Sequence, residues 1–272
     1  MPPILTLNDG HPLPAIGFGL YKVDPAETEA VVTAGIDAGY PLIDGGAFYD
    51  NERQLGAAVR ASGRRDELLV ASKVWGDPVQ SYDQTLADFD RSAADLDIGV
   101  VDIYMIHWPR PARNAYVDVW RAMIRLREEG RVRTIGVCNF NAQELQRLED
   151  ETGVVAPINQ VESHPWMPQH DLREYHREHG IVTQAWSPLG RGRLLEDPTL
   201  IEMAERLGVS VAQVVLRWHV QLGGAAVPKS RNADRLRANL DLDGFELSEQ
   251  DMARIAGLEN GTRTGSDPKD RQ

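Results

Sequence analysis

Three ionisable side chains stand where short apolar runs end, and a fourth follows the first of them closely. Asp44 closes Pro41–Leu42–Ile43, Lys73 closes Leu69–Val70–Ala71–Ser72, and His107 closes Ile103–Tyr104–Met105–Ile106. Tyr49 follows Asp44 by five residues, just before Asn51–Glu52. An ammonium about 4 Å from a phenol is worth about 4 kcal/mol at an effective dielectric of 20, which is about three pKa units. That is enough to draw a tyrosine from about 10 towards neutrality. The set therefore predicts acid–base chemistry on a carbonyl group. Asp44 holds and orients Lys73, and Lys73 acidifies Tyr49. His107 donates a hydrogen bond to a substrate oxygen, and Tyr49 is the general acid as charge develops there. Each residue alone has an ordinary structural role, as a helix cap, a rim charge, a strand-end histidine or a loop aromatic. Their joint placement at successive run ends is what points to a site.

Such a site needs strand ends that converge. Candidate strands begin near Ala15, Pro41, Leu68, Val100, Thr134, Ile158, Ile181 and Ala225, spaced 23 to 44 residues apart, the length of a strand–helix–strand unit. Val100–Val101–Asp102–Ile103–Tyr104–Met105–Ile106 is nearly continuous in hydrophobicity, as in a strand covered on both faces. The intervening segments read as helices. Asn114 is a candidate cap for Val117, Trp120, Ile124 and Arg127, and Ser81 for Leu86, Phe89, Ala93 and Leu96; Glu144, Leu145 and Leu148 follow Asn141. Eight strands alternating with helices predict an α/β chain, a (β/α)8 TIM barrel, with catalysis at the C-terminal strand ends. Ile4–Thr6 and His11–Leu13, joined by Asn8–Asp9–Gly10, predict an N-terminal β-hairpin cap on the barrel bottom. A doubly wound fold is disfavoured, because Gly17-x-Gly19 and Gly190-x-Gly192 both lack a third glycine. Residues 1–272 read as one barrel domain, with a polar tail, Asn260–Gln272, expected to be a loop or partly disordered.

The chain has 272 residues, 41 acidic and 29 basic, giving a net charge of −12, which argues against a nucleic-acid or anionic-membrane partner. One cysteine, Cys138, excludes a disulfide framework and a C-x-x-C site, so a reducing cytoplasm is expected. No signal peptide and no transmembrane run are visible. His170, His176 and His179 lack metal-ligand spacing and read as a solvated helix face, so no metal is expected. Trp120 and Trp218 read as core.

The chain resembles the aldo-keto reductases, closest to the bacterial 2,5-diketo-D-gluconate reductase-like branch. The resemblance rests on seven collinear motifs: L-I-D-x-x-x-x-Y-x-N-E (Leu42 to Glu52), S-K-V-W (Ser72 to Trp75), I-H-W-P (Ile106 to Pro109), G-V-C-N-F (Gly136 to Phe140), N-Q-V-E (Asn159 to Glu162), W-S-P-L-G (Trp186 to Gly190) and P-K-S (Pro228 to Ser230). It implies that Asp44, Tyr49, Lys73 and His107 are the catalytic tetrad of an NADPH-dependent carbonyl reductase. It also implies an extended cofactor across the barrel mouth. Asn139 and Gln160 would hold the carboxamide, with Trp186 on the nicotinamide face. Ser187, Leu189 and Gly190 would line the pyrophosphate path. Lys229, Ser230 and Arg235 would meet the 2′-phosphate, and Asn239 the adenine. Charge supports the phosphate assignment independently, since Lys229, Arg231, Arg235 and Arg237 cluster within nine residues where a helix should start.

The resemblance has departures. Gly45–Gly46 replaces the usual Thr-Ala and is expected to loosen the backbone beside Asp44. Cys138 stands where a serine is usual, and Ala238 where a glutamate is frequent. Tyr21, Trp75 and Trp108 are expected to wall a pocket for a small-molecule carbonyl substrate. The loop Gly190–Arg191–Gly192–Arg193 is a candidate cover for the cofactor. A monomer is expected. Two other readings are a non-catalytic NADPH-binding regulatory protein on the same barrel and a metal-dependent hydrolase barrel.

Overall fold

The computed structural model describes residues 3–271. A short antiparallel pair comes first, β1 (Ile4–Thr6) with β2 (Pro12–Pro14), in register Ile4↔Pro14. Eight parallel strands follow: β3 (Phe18–Gly19), β4 (Leu42–Asp44), β5 (Leu69–Val74), β6 (Val101–Ile106), β7 (Val132–Cys138), β8 (Ile158–Glu162), β9 (Val182–Trp186) and β10 (Ala225–Ala226). They pair in sequence order. The sheet closes on itself where Ile16 bridges Ala226 in parallel and Gly19 N–H donates to Pro228 O at 3.1 Å. Closure leaves no free edge. The eight expected strands are all present. The second hairpin strand lies one residue later than expected.

Strand alternation sorts the barrel's contents, because successive side chains point to opposite faces. Leu42, Ala71, Ile103, Met105, Cys138, Ile158 and Ala225 form one buried cluster, together with Leu7 and Leu13 beneath them at the hairpin end. Ile43, Val70, Val74, Tyr104, Ile106, Ile135 and Val137 pack in a separate, larger cluster with the helices. Two residues beyond an inward apolar position, four of the strands carry a polar group: Asp44 after Leu42, Lys73 after Ala71, Gln160 after Ile158 and Gln184 after Val182. The barrel interior is thus apolar at its base and polar towards its C-terminal mouth.

Helices cover the outside. Ser81 caps Tyr82–Leu96 by accepting from Gln84 N–H, and Asn141 with Glu144 forms a capping box on Ala142–Thr152. Asn114 does not cap the next helix as expected. Tyr116–Glu128 starts after Ala115, while Asn114 sits in the left-handed region and its side chain accepts from Arg147 at 2.6 Å. His176 is likewise not solvated: it is 1% exposed, bonded to Asn159 and to Thr183 on the neighbouring strands. A buried imidazole with two partners is worth more to the packing than one facing water. Among the described residues no group of His, Cys, Asp and Glu could hold a metal ion, and no helix is long and apolar enough to cross a membrane.

The tail is a loop but an anchored one. Asn260 and Gly261 donate to Trp166 O, and Thr264 donates twice to Glu162 Oε1 at 2.6 Å. Gly265 N–H adds a third bond to the same oxygen, at 3.1 Å. Glu162, the last residue of β8, is fully buried. Burial alone would oppose its charge, but the hydrogen bonds from His164 and Thr264 outweigh it and hold the carboxyl below its usual range. A polar composition made the tail look free. The buried acceptor that fastens it lies about a hundred residues upstream.

Candidate active site

Lys73 has no exposed surface and its ammonium makes three contacts. It donates to Asp44 Oδ1 at 2.7 Å, to Gly45 O at 2.7 Å and to the Tyr49 hydroxyl at 3.2 Å. Parallel pairing of β4 with β5 puts Asp44 beside Ala71, one inward position below Lys73. Tyr49 reaches the same point from a single 3-10 turn, Ala47–Tyr49, that follows β4. Gln160 holds Asp44 from the far side of the barrel at 2.8 Å. Burial would strip Lys73 of its proton, but Asp44 reverses this and the ammonium stays charged well above the usual lysine range.

The phenol does not follow the charge argument made from sequence. Burial dominates and raises the Tyr49 pKa above its ordinary value, with Lys73 pulling down against it and Asp44 adding to the rise. The ammonium's field is largely spent on Asp44, so at Tyr49 the cost of desolvating a phenolate wins. Tyr49 is therefore protonated at any physiological pH, the form an acid needs. His107 is neutral for a related reason. Burial, then Lys73, Arg271 and Arg110 push its pKa well below the usual histidine range. Its Nδ1 is buried without a partner, so Nε2–H is the donor available to a ligand.

Gly45 does not loosen this arrangement. Its N–H donates to Ala71 O at 2.9 Å while its carbonyl accepts from Lys73. A Cβ there would lie 2.9 Å from the Leu55 side chain and 3.0 Å from Ala71 O. A side chain there would have to displace the end of Leu55 and press on Ala71 O. The thiol of Cys138 lies behind, fully buried and pushed above the ordinary cysteine range by burial, so it is inert.

A cavity of about 1070 Å³ opens on this cluster and runs along the barrel mouth. Of the residues singled out from sequence, Asp44, Tyr49, His107, Tyr21, Trp75, Trp108, Asn139, Gln160, Trp186, Ser187, Leu189, Lys229, Ser230, Arg235 and Asn239 line it. Lys73 lies beneath the floor, and Gly190, expected on the pyrophosphate path, is buried and does not line the cavity. At the catalytic end Phe48 stacks on Trp75 at 3.9 Å, and Tyr21 sits 5.3 Å from the Tyr49 ring. Phe48 is 44% exposed and was not anticipated, although its place beside Tyr49 in the 3-10 turn could have marked it.

The middle of the cavity is built on strand ends with strained backbone. Asn139 and Ser187 both adopt left-handed φ, 66° and 49°. The Asn139 amide donates to His107 O at 2.9 Å, and its oxygen accepts from the Trp186 indole at 2.8 Å. Both Gln160 amide hydrogens are used, on Asp44 and on Gln184, and its carbonyl oxygen accepts only a weak bond from Cys138 Sγ at 3.9 Å, which leaves that oxygen a lone pair to offer a ligand. Gly265 of the tail runs against Trp186, since a Cβ there would fall 2.3 Å from the indole ring. At the far end the expected helix, Ala233–Leu240, is present with Asn232 as its cap, and Arg235 and Asn239 project from one face of it. Lys22 and Arg231 join Lys229 there, and burial with these cations lowers the Lys229 pKa. Arg191 and Gly192 of the expected covering loop also border the cavity.

Known proteins share this arrangement. A match to the Aldo/keto reductase family spans residues 15–260. An aldo-keto reductase of Mycobacterium sp. (strain KMS) is 48% identical over 268 residues, 98% of this chain and 97% of that one. The 2,5-diketo-D-gluconic acid reductase B of Corynebacterium sp. (strain SHS752001) is 46% identical over 271 residues, 98% of this chain and 96% of its own. The crystal structure of a variant of Gox0644 in complex with NADPH superposes with a TM-score of 0.94 at 41% identity, covering 99% of this chain and 98% of that one. With its fold, its cavity and these relatives in agreement, the chain belongs to the aldo/keto reductase family, NADPH-dependent oxidoreductases that reduce carbonyl compounds.

Proposed function

We propose that this protein reduces small aldehydes and ketones with NADPH, using Tyr49 as the general acid. The observation that carries the reading is the Tyr49 hydroxyl held 3.2 Å from a buried, charged Lys73, at the floor of a cavity that His107 also lines.

The residues present fit the cofactor. The cavity is larger than a small carbonyl compound needs. Its far end collects Lys22, Lys229, Arg231 and Arg235 beside the first turn of the helix Ala233–Leu240, in a chain of net charge −12. Guanidinium, ammonium and helix dipole all favour a phosphate there. Ser230 and Arg235 would reach the 2′-phosphate with Lys229, and Asn239 the adenine. Ser187 and Leu189 would follow the pyrophosphate. Asn139 and the carbonyl of Gln160 would hold the carboxamide, with Trp186 against the ring. When bound, NADPH supplies the hydride.

The chain's own groups do the rest. Tyr21, Trp75 and Trp108 wall in the substrate and exclude water. His107 Nε2–H and the Tyr49 hydroxyl both point hydrogen-bond donors at the carbonyl oxygen, which polarises the carbon for attack. As negative charge grows on that oxygen, Tyr49 transfers its proton to it. The charged Lys73 beside the phenol then stabilises the tyrosinate that remains, and Asp44 keeps the ammonium charged and in place. The single, buried thiol supports a reducing compartment, the cytoplasm. We propose that the protein acts as a monomer.

NADPH consumption followed by absorbance with a simple aldehyde tests the reading. Steady turnover is expected. Binding of NADPH without any turnover would instead favour a regulatory protein on the same barrel.

A further inference from the structure

The phosphate end of the cavity is crowded with like charge, from Lys22, Lys229, Arg231 and Arg235. Among the described residues that line the cavity, only Asp44 carries a carboxylate, and Lys73 already neutralises it at the catalytic end. Cations gathered in this way repel one another, so a nearby anion stabilises them. The structure places one just outside the cavity wall. Arg231 Nη1 donates to Glu27 Oε2 at 2.7 Å. The charge of Glu27 is felt beyond that pair: burial, Arg231 and Lys22 push the Lys229 pKa down, and Glu27 pulls against them.

The pairing is set by the fold. Glu27 lies in the first turn of the helix Pro25–Ala38, where the helix dipole favours its ionised form. Arg231 lies between β10 and the helix Ala233–Leu240. These two helices are tied together, because Tyr40, just past the first, donates from its hydroxyl to Leu236 O in the second at 3.1 Å, and that bond is buried. Their packing brings Glu27 to Arg231 across 204 residues of chain. Both side chains are nonetheless about half exposed, Arg231 at 55% and Glu27 at 50%. An ion pair so exposed is worth a factor of about five at most, and a better anion can displace it. A 2′-phosphate is a better anion: it carries nearly two negative charges and three acceptor oxygens, and it suits the guanidinium fork.

We propose that Glu27 competes with the cofactor's 2′-phosphate for Arg231, and is thereby a specificity-determining residue that narrows the preference for NADPH over NADH. NADPH must break the Glu27–Arg231 pair to use that guanidinium, whereas NADH, which lacks the phosphate, leaves the pair closed. Once NADPH is seated, Glu27 stays near a group of its own sign and loosens it further. The inference rests on the cofactor reading above, and it adds a residue outside the cavity wall that sets the selectivity.

The test is tryptophan-fluorescence titration with NADPH and with NADH in the wild type, Glu27→Gln and Glu29→Gln. Glu29 is exposed on the same helix and, among the described residues, its side chain is in no ion pair, so its variant controls for net charge. Glu27→Gln should tighten NADPH binding about three- to tenfold and change NADH binding by less than about twofold. Glu29→Gln should leave both within about twofold. In an Arg231→Gln background, Glu27→Gln should gain less than about twofold, because the contested guanidinium is gone. NADPH affinity unchanged or weakened in Glu27→Gln, an equal gain for NADH, the same gain in Glu29→Gln, or a full gain without Arg231 would each overturn the proposal. Arg235→Ala separates these results from a failure of the cofactor reading. If it weakens NADPH and NADH equally, the phosphate lies elsewhere and both readings fall; if it weakens NADPH alone while Glu27→Gln has no effect, only the role of Glu27 does.

Discussion

Replacing Lys73 with methionine removes three contacts at once and separates what this side chain does for folding from what it does for chemistry. At 2.7 Å and an effective dielectric of 20 the attraction between Lys73 and Asp44 is gross about 6 kcal/mol, most of it offset by the cost of burying both charges. Breaking the pair is a different matter. Asp44 is 4% exposed and would keep a single donor, Gln160, while Gly45 O would lose its donor altogether. An uncompensated buried charge costs about 3–5 kcal/mol, and at about 2–4 °C per kcal/mol the Tm should fall by about 6–20 °C. The double variant Lys73→Met, Asp44→Asn removes the orphaned charge and should regain about 2 kcal/mol of that loss. Turnover should not return with it, because no ammonium is left to stabilise a tyrosinate. Thermal unfolding by circular dichroism, beside NADPH oxidation with an aldehyde, reads both. A single variant melting within about 2 °C of the wild type, or a double variant melting no higher than the single, would refute the reasoning.

Other expectations follow from the same geometry. His107 is held well below the usual histidine range, and burial with nearby cations pushes His176 and His219 down to about 3. The unfolded chain takes up protons at these sites below about pH 6.5 while the folded chain does not. Stability should therefore be fully present above that pH and fall as the pH drops towards 3, by up to about 4 kcal/mol per pH unit, as denaturant melts across pH 4–8 would show. Stability independent of pH over that span would mean the three imidazoles are solvated. Lys229→Met and Arg235→Ala should each weaken NADPH binding about ten- to a hundredfold and leave NADH binding nearly unchanged, read by fluorescence titration. Equal losses for both nucleotides would move the 2′-phosphate elsewhere. Gly265→Val should drive the tail off Trp186, raising substrate KM at a stability cost of about 1–3 kcal/mol. Unchanged KM and Tm would show that the tail does not shape the pocket.

How legible all this was depends on whether the determining interactions lie along the chain or across it. The strands announced themselves through β-branched runs at regular spacing, and alternation along each run explains why Asp44, Lys73 and Gln160 share the barrel mouth. Asn141 and Ser81 could be read as caps because the groups they satisfy are within three residues. Asn114 misled, because its side chain is taken by Arg147 from the next helix. Gly45 looked permissive in the sequence, whereas its backbone is fixed by bonds to Ala71 and Lys73 and a side chain there would press on Leu55 and Ala71. Tyr49 was placed correctly but its ionisation was reversed, since charge can be counted from sequence and burial cannot. The tail was the least legible part. Nothing in Asn260–Gln272 says that Glu162 waits under it.

The central claim is that the Tyr49 hydroxyl is the acid that protonates the carbonyl oxygen. Substituting phenylalanine for Tyr49 and measuring NADPH binding by tryptophan quenching, alongside turnover of a simple aldehyde, tests it most directly. The account predicts nearly unchanged nucleotide affinity with turnover lowered by about 10²–10⁴-fold. A Tyr49→Phe enzyme that turns over at the wild-type rate would contradict it.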